Sequence, residues 1–479
     1  MSLDQGGKRE AGNKAAVSLY NKTSSEASGM YLTQKNQVRE LNKSEFLALR
    51  ELCRLSKNLY NVGLYTVRQY FFQERKHLRY ESNYHQCKAS ENYQLLNTDI
   101  AQQTLKVVDR TFKSFYGLIS AVKEGSYQQR VKLPHYLPKD GYFLLIIPCG
   151  WATRRDKTKA PRLVIKDGKF RIPMSNQFKK QFGEVWINFP DRVDYESLKE
   201  IRIHPKYNAR YFEVEFISEV KPEPVEVNPS SAISIDLGVD NLAACVDTNG
   251  ASFLVDGKPI KSINQGFNKR NARLQSIKDK QGIKGFTNQQ VKLVAKRNNQ
   301  VRDYLNKTAR KIANHCIDNQ IAQMIVGYNP GIKQEINIGK CNNQNFVQIP
   351  FHSLRSKLKA LCERYGLIYT EQEESYTSKA SAVDGDEIPV YNADNPKTYQ
   401  FSGKRIKRGL YRTAHGHLVN ADLNGSLNIG RKSKHNGFAG VSRGSLTAPR
   451  RINLLKLERN VEQRSFNPLR NILLESPAL

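Results

Sequence analysis

One stretch limits the fold more than any other. Residues 232–257 read AISIDLGVDNLAACVDTNGASFLVDG, three short apolar runs separated by turn signals at DLGVDN and DTNG. β-Branched and aromatic residues between clusters of Gly, Asp and Asn specify strands joined by tight turns. In the first run Ile233, Ile235 and Leu237 fall on one face, and Ser234 and Asp236 on the other, because successive side chains of a strand alternate. The texture then turns helical and basic: residues 257–311 carry 15 Lys and Arg against two acids, Asp279 and Asp303. MIVGY (324–328) reads as a short buried strand and is followed by an Asn/Gly-rich loop. A helix near 353–365, a strand near 366–371 and a helix over ADLNGSLNIG (421–430) complete a β-β-β-α-β-α-β-α order. That order belongs to an α/β unit with one sheet served by helices.

Two other textures precede it. MYLTQKNQVR (30–39) reads as a strand. Asn42 and Glu45 then stand at capping-box spacing. Phe46, Leu49, Leu52, Leu55, Leu59 and Val62 share one helical face. A second helix starts near Thr98, with Ala101, Leu105, Val108, Phe112 and Phe115 on its stripe. From 126 to 228 prolines punctuate short runs such as GYFLLIIP, EVWINFP and RYFEVEFISEV, at the strand spacing of a sandwich or barrel. KPEPVEVNPSS (221–231) marks a boundary. The chain is therefore expected to be multidomain, α/β plus β. Its parts are a flexible tail 1–29, a β-rich part 30–43 plus 126–228, a helical part 44–125, the α/β unit 229–376 plus 418–432, a polar insertion 377–417 and a basic tail 433–479.

The 479 residues hold 76 Lys and Arg against 45 Asp and Glu, a formal net charge of +31. Such an excess calls for a polyanion, nucleic acid first. The 39% hydrophobic content is enough for packed cores. No run of about 18 apolar residues is present, so no membrane span is expected. The seven cysteines are scattered with no CxxC pair. This supports neither a disulfide framework nor a thiolate zinc site, and a reducing compartment is the plain reading.

Several acids are candidates for chemistry. Asp236 lies inside an apolar strand, which costs desolvation energy unless a cation compensates it. A divalent metal is one such partner, and a strand-end turn is the other reading. Asp422 follows Asn420, and either residue suits a helix cap. EQEESY (371–376) adds Glu371, Glu373 and Glu374, as a solvated acidic turn or as ligands. An Asp on a first strand, a later Glu and an Asp on a late helix are what an RNase H-like nuclease requires. Its three carboxylates hold two Mg²⁺ ions around a scissile phosphate. Within QFSGKRIKRGLYRT (400–413), Lys404, Arg405, Lys407, Arg408 and Arg412 stand beside Phe401 and Tyr411 without an acid. They suit phosphates and unstacked bases, or form a solvated basic loop. Lys296, Arg297 and Arg302 on the basic helical stretch are further nucleic-acid candidates.

At SIDLGVDNLAACVD, ESYTSKAS and ADLNGSLNIG the sequence resembles the TnpB family. These are transposon-encoded, RNA-guided DNA endonucleases with a RuvC-type nuclease domain, relatives of type V CRISPR effectors and of Fanzor proteins. The resemblance spans residues 30–432. It implies an RNase H-like RuvC nuclease domain, a helical recognition lobe and a wedge-type β-barrel. Two departures follow from the residues. Gly327, in IVGYN, stands where the usual glutamate of the family would be, while Glu374 precedes YTSK at the place of the relocated glutamate of Fanzor proteins. The resemblance thus assigns Asp236, Glu374 and Asp422 as catalytic and metal-binding, with Glu373 the nearest competitor and Glu335 a weaker one. Ser381 occupies the position of the first zinc-ribbon cysteine, and no cysteine follows Cys362. No structural zinc is expected, and two Mg²⁺ ions are. The implied partners are a guide RNA encoded near the element and double-stranded target DNA read beside a short duplex motif. The protein is expected to be a monomer with one RNA, away from membranes. Its expected place is a bacterial cytoplasm or nucleoid, or the nucleus in a eukaryote. A nuclease-inactive, RNA-guided repressor is the alternative, and a strand-joining transposase a third reading.

Overall fold

The computed structural model describes residues 29–153, 157–329, 348–391 and 397–455. Strand β1 (Met30–Gln37) leads into helix α1 (Lys43–Glu74). The capping box closes in both directions. Asn42 Oδ1 accepts from the Glu45 N–H at 2.9 Å, and Glu45 Oε2 accepts from the Asn42 N–H at 3.0 Å. Helix α2 (Thr98–Lys123) is capped by Asn97 and packs along α1. Leu49, Leu52 and Leu59 of α1 are fully buried in one core with Ala101 and Leu105 of α2, each leucine contributing about 1.5–3 kcal/mol.

The same core takes in the β-rich part. Strands β2 (Leu145–Pro148), β3 (Leu198–Lys206) and β4 (Tyr211–Val220) form an antiparallel sheet with β1 in the order β1-β4-β3-β2. A separate three-stranded sheet, Ile165–Lys166, Lys169–Arg171 and Trp186–Asn188, packs against it through Phe170, whose ring lies 6.0 Å from that of Phe216. Among the described residues these strands remain separate sheets on a shared core.

The α/β unit begins with β5 (Asn228–Asp236), β6 (Asn241–Asp247) and β7 (Ser252–Asp256), the three strands that residues 232–257 specify. Helices α3 (Lys258–Lys280) and α4 (Asn288–Asp318) form a basic hairpin. Strand β8 (Ile321–Tyr328), helix α5 (Phe351–Tyr365) and strand β9 (Ile368–Glu373) follow. The insertion supplies β10 (Lys404–Lys407) and β11 (Leu410–Arg412), which form a three-stranded antiparallel sheet with β12 (Leu418–Asn420) of the α/β unit. Helix α6 (Ala421–Lys432) and strand β13 (Arg450–Ile452) end the unit.

The large sheet has the order β9-β8-β5-β6-β7-β13. β5, β8 and β9 run parallel, while β5, β6 and β7 are antiparallel neighbours. Helices cover both faces. Ile233 and Ile235 pack with Tyr304, Ile312 and Leu358 on one side. Ala244 and Val246 pack with Leu423, Leu427 and Ile429 of α6 on the other. Ser234 is therefore fully buried although polar. Its hydroxyl donates to Val246 O at 3.1 Å and lies 3.2 Å from the hydroxyl of Ser426 on α6. Three parallel strands thus end at one edge, the place where α/β sheets collect their ligands.

Candidate functional site

Asp236 is the last residue of β5, Glu374 follows the last residue of β9, and Asp422 is in the first turn of α6. Local chemistry sets each one. Asn420 caps α6, its Oδ1 accepting from the N–H groups of Asp422 and Leu423, both at 3.0 Å. Asp422 is thereby released from capping. Lys432, at the other end of the same helix, donates to Glu373 Oε2 at 2.6 Å and to Ser375 O at 2.9 Å. Burial alone would raise the Glu373 pKa, and the bonds from Lys432 and Ser375 more than reverse this. Glu373 is thus paired with Lys432, whereas among the described residues no cation is bound to Glu374. Glu335 lies outside the described residues.

The electrostatics of the two enclosed acids run the other way. Burial, then the charges of Glu374 and Asp422, push the Asp236 pKa up to about 8. Burial, then Glu373, push Glu374 up to about 7. Carboxyls that repel one another at the end of a sheet retain protons until a cation arrives.

Two glycines make room for them. A Cβ on Gly327 of β8 would stand 2.8 Å from Glu374 Oε2 and 2.6 Å from Ile429 Cδ1. A Cβ on Gly425 of α6 would stand 3.0 Å from Asp236 Oδ2. Glycine inside a strand is unfavourable and marks a close approach. The space at 327 is taken by the carboxylate of Glu374.

Asp236 and Asp422 line a cleft of about 590 Å³, together with Asp240, Asn241, Lys258, Arg405, Arg408 and Arg451. The oxygens of Asp422 are both engaged: Arg405 Nη2 donates to Oδ1 at 2.7 Å, and Asn241 Nδ2 to Oδ2 at 2.6 Å. Asp240 accepts from Lys261 and from Arg408, both at 2.6 Å. Among the described residues no group of three His, Cys, Asp or Glu side chains stands ready to hold a metal ion. The structure therefore brings Glu374 and Asp422 each into electrostatic reach of Asp236, while Asp422 is turned onto Arg405 and Asn241. The donors still suit a hard cation. They are carboxylate oxygens, and the buried Asn241 Oδ1 beside them has no hydrogen-bond partner.

The basic candidates divide. Lys404, Lys407 and Arg412 are exposed on β10 and β11, whereas Arg405 and Arg408 reach into the cleft. Lys296 is exposed on α4. Arg297 is turned inward, donating to Asn264 Oδ1 at 2.8 Å and Gln348 O at 2.9 Å. Arg302 donates to Asn299 at 2.9 Å and faces Glu213 at 3.9 Å. Arg297 is thus tied to neighbouring elements, while Arg302 keeps a third of its side chain exposed. Ser381 is buried, its N–H donating to Asp386 Oδ2 at 2.7 Å and its hydroxyl to Asp384 Oδ2 at 2.6 Å. Sequence reasoning missed Asp240, Asn241, Lys258, Arg451 and Lys432. Asn241 carried a signal, a polar residue opening the apolar run LAACV. Asp240 lies in the quoted DLGVDN turn, where an acid reads as a turn residue, and Lys258, Lys432 and Arg451 come from other segments.

Comparison with known proteins bears on this arrangement. Residues 215–333 match the OrfB_IS605 family, described as a probable transposase. Residues 351–429 match the Cas12f1-like TNB domain. The chain is similar to the TnpB-like protein ORF457 of Acidianus two-tailed virus, 26% identical over 415 residues, 80% of this chain and 83% of the relative. Among solved structures, a Cas12f1–sgRNA–target DNA complex superposes with a TM-score of 0.48 at 15% identity, covering 81% of this chain and 82% of that one. CasPhi-2 (Cas12j) bound to crRNA and phosphorothioate-DNA superposes at 0.42 and 10% identity, covering 90% and 95%. The TnpB likeness carried by the three sequence motifs is shown by the family and relative matches. No helix among the described residues is long and apolar enough to cross a membrane.

Proposed function

We propose that the chain is an RNA-guided DNA endonuclease of the TnpB type, whose α/β unit is an RNase H-like, RuvC-type nuclease domain. The helical part 44–125 and the β-rich part 30–43 plus 126–228 act as recognition lobe and wedge. The observation that carries this reading is electrostatic. Two enclosed carboxyls, Asp236 and Glu374, at the ends of the parallel strands β5 and β9 of the mixed sheet, are pushed to about 8 and about 7, and Asp422 adds its charge to Asp236. A site that expensive is supported when cations sit among its acids.

Asp236, Glu374 and Asp422 would hold Mg²⁺. Bound there, it supplies Lewis-acid stabilisation of the scissile phosphate and a more acidic water. The chain's own residues do the rest. Arg405 and Arg408 leave their carboxylates to bind phosphates of the strand, and Lys258 and Arg451 line the way in. Asn241 orients Asp422. A guide RNA selects the target by base pairing while the protein reads backbone and shape, and the excess of positive charge supports a polyanionic partner.

One observation favours binding without cutting, the repressor reading. Asp422 is held by Arg405 and Asn241, with both carboxylate oxygens engaged. A single assay separates the two. The protein is purified with the RNA transcribed beside its gene, the RNA is sequenced, and a matching duplex is incubated with Mg²⁺. Cleavage that depends on the RNA supports the endonuclease, and RNA-dependent binding with intact DNA supports the repressor.

A further inference from the structure

Away from the cleft, helix α1 presents a face that its own core does not explain. Leu64 and Val67 point inward and are fully buried. Tyr65, Arg68 and Phe72 recur at three- and four-residue spacing on one outward face. Tyr65 is 57% exposed and Phe72 44%. The chain that follows α2 lays an extended segment onto this face. Asn61 clamps it, donating to Leu137 O and accepting from the Leu137 N–H, both at 2.9 Å. Arg68 Nη1 donates to Pro134 O at 3.0 Å. The clamp sets Tyr136 beside Arg68, whose guanidinium carbon lies 4.8 Å from the Tyr136 ring centre and 5.8 Å from that of Phe72. Tyr136 itself remains 43% exposed. Three accessible rings are thus held on a helix and a lashed segment, with one cation fixed between two of them. The two segments, 65–76 and 127–140, hold six Lys and Arg against two acids.

We infer that this face is a docking surface for single-stranded DNA, with unpaired bases stacking on Tyr136, Phe72 and Tyr65 and the flanking cations taking phosphates. Rings with free faces among cations are the working parts of single-strand binding, because every base offers a π-face. A duplex does not offer them, since its base faces are covered by stacking and only its edges are readable. Aromatic rings and arginine suit a protein interface as well, but lysine is depleted there, and three of the six cations are Lys76, Lys132 and Lys139. The choice of DNA rests on the proposed RNA pairing, which leaves one DNA strand displaced. The stacking chemistry itself does not depend on cleavage.

The test uses the full chain in EDTA and a short oligothymidine strand carrying one 2-aminopurine, whose fluorescence is quenched by stacking. Wild type is expected to bind and quench. The double variant Phe72→Ala, Tyr136→Ala is expected to bind about 10-fold or more weakly and to lose the quench. Its dependence of affinity on salt should stay unchanged, because no phosphate contact is removed. Tyr136→Phe keeps the ring and is expected to behave as wild type. Unchanged affinity in the double variant, with a melting temperature equal to wild type, overturns the proposal. So does an equal loss of affinity for a blunt duplex, or a loss confined to an RNA strand of the same length. None of these results touches the cleavage reading, which Asp236→Ala tests separately.

Discussion

At the scale of single residues, the site turns on what glycine permits. Gly327→Ala places a methyl group where Glu374 Oε2 and Ile429 Cδ1 stand, so the variant should lose about 1–3 kcal/mol of stability through overpacking and should lose cleavage with it. Adding Glu374→Gly to the same chain should recover part of the melting temperature and none of the activity. An unchanged melting temperature in Gly327→Ala would mean that the two positions do not share space. The raised acids make a second prediction. Between about pH 4 and pH 8 the folded protein keeps a proton on Asp236 that the unfolded chain has released. The folded state then binds more protons, so stability falls as pH rises through that window. Asp236→Asn removes the effect. In EDTA its melting temperature should exceed that of wild type by a margin that grows from pH 4 to pH 8. A margin that does not change with pH contradicts the assignment of the burial cost to Asp236.

At the scale of elements, helix α6 is the part that assembles the rest. Its first turn carries Asp422 and its middle reads the backbone just beyond Glu374. Asn428 Nδ2 donates to Thr377 O at 2.9 Å and to Ala380 O at 2.7 Å, and Asn424 Nδ2 to Ala380 O at 2.8 Å. These amides are buried. Asn428→Ala strands the Thr377 carbonyl without this donor and leaves Ala380 O to Asn424 alone, at about 1–3 kcal/mol. Calorimetry should record the loss, and cleavage should fall because Thr377 in turn holds Glu374 O at 2.8 Å. The element order of the α/β unit was legible because β5, β6 and β7 are short apolar runs bounded by Gly, Asp and Asn. The helix over 421–432 was legible for its cap, although Asn420 and Asp422 competed for that role until Asn420 was seen to take it. The insertion was not legible. β10 and β11 are short, polar runs whose pairing is set by their partners across the sheet and by the Tyr411 hydroxyl donating to Lys379 O at 2.8 Å, and local pattern carries none of that. The inward turn of Arg297 was hidden for the same reason, since its acceptors Asn264 and Gln348 come from other segments.

At the scale of the whole molecule, charge and site divide the work. The +31 excess spreads over every part of the chain, so affinity for RNA should fall steeply with salt. With about six to ten phosphates neutralised, roughly 1,000-fold or more should be lost between about 50 and 200 mM salt. Filter binding across that range checks it, and a flat profile would argue against a nucleic-acid partner altogether. On the proposed reading, charge brings the polyanion to the protein and the acids at the end of the sheet decide whether it is cut. The most direct measurement is therefore cleavage and binding of an RNA-matched duplex by Asp236→Ala beside wild type, both loaded with the same RNA in Mg²⁺. The account predicts RNA-dependent binding at wild-type affinity with no cut strands. Cutting by Asp236→Ala at the wild-type rate would contradict it.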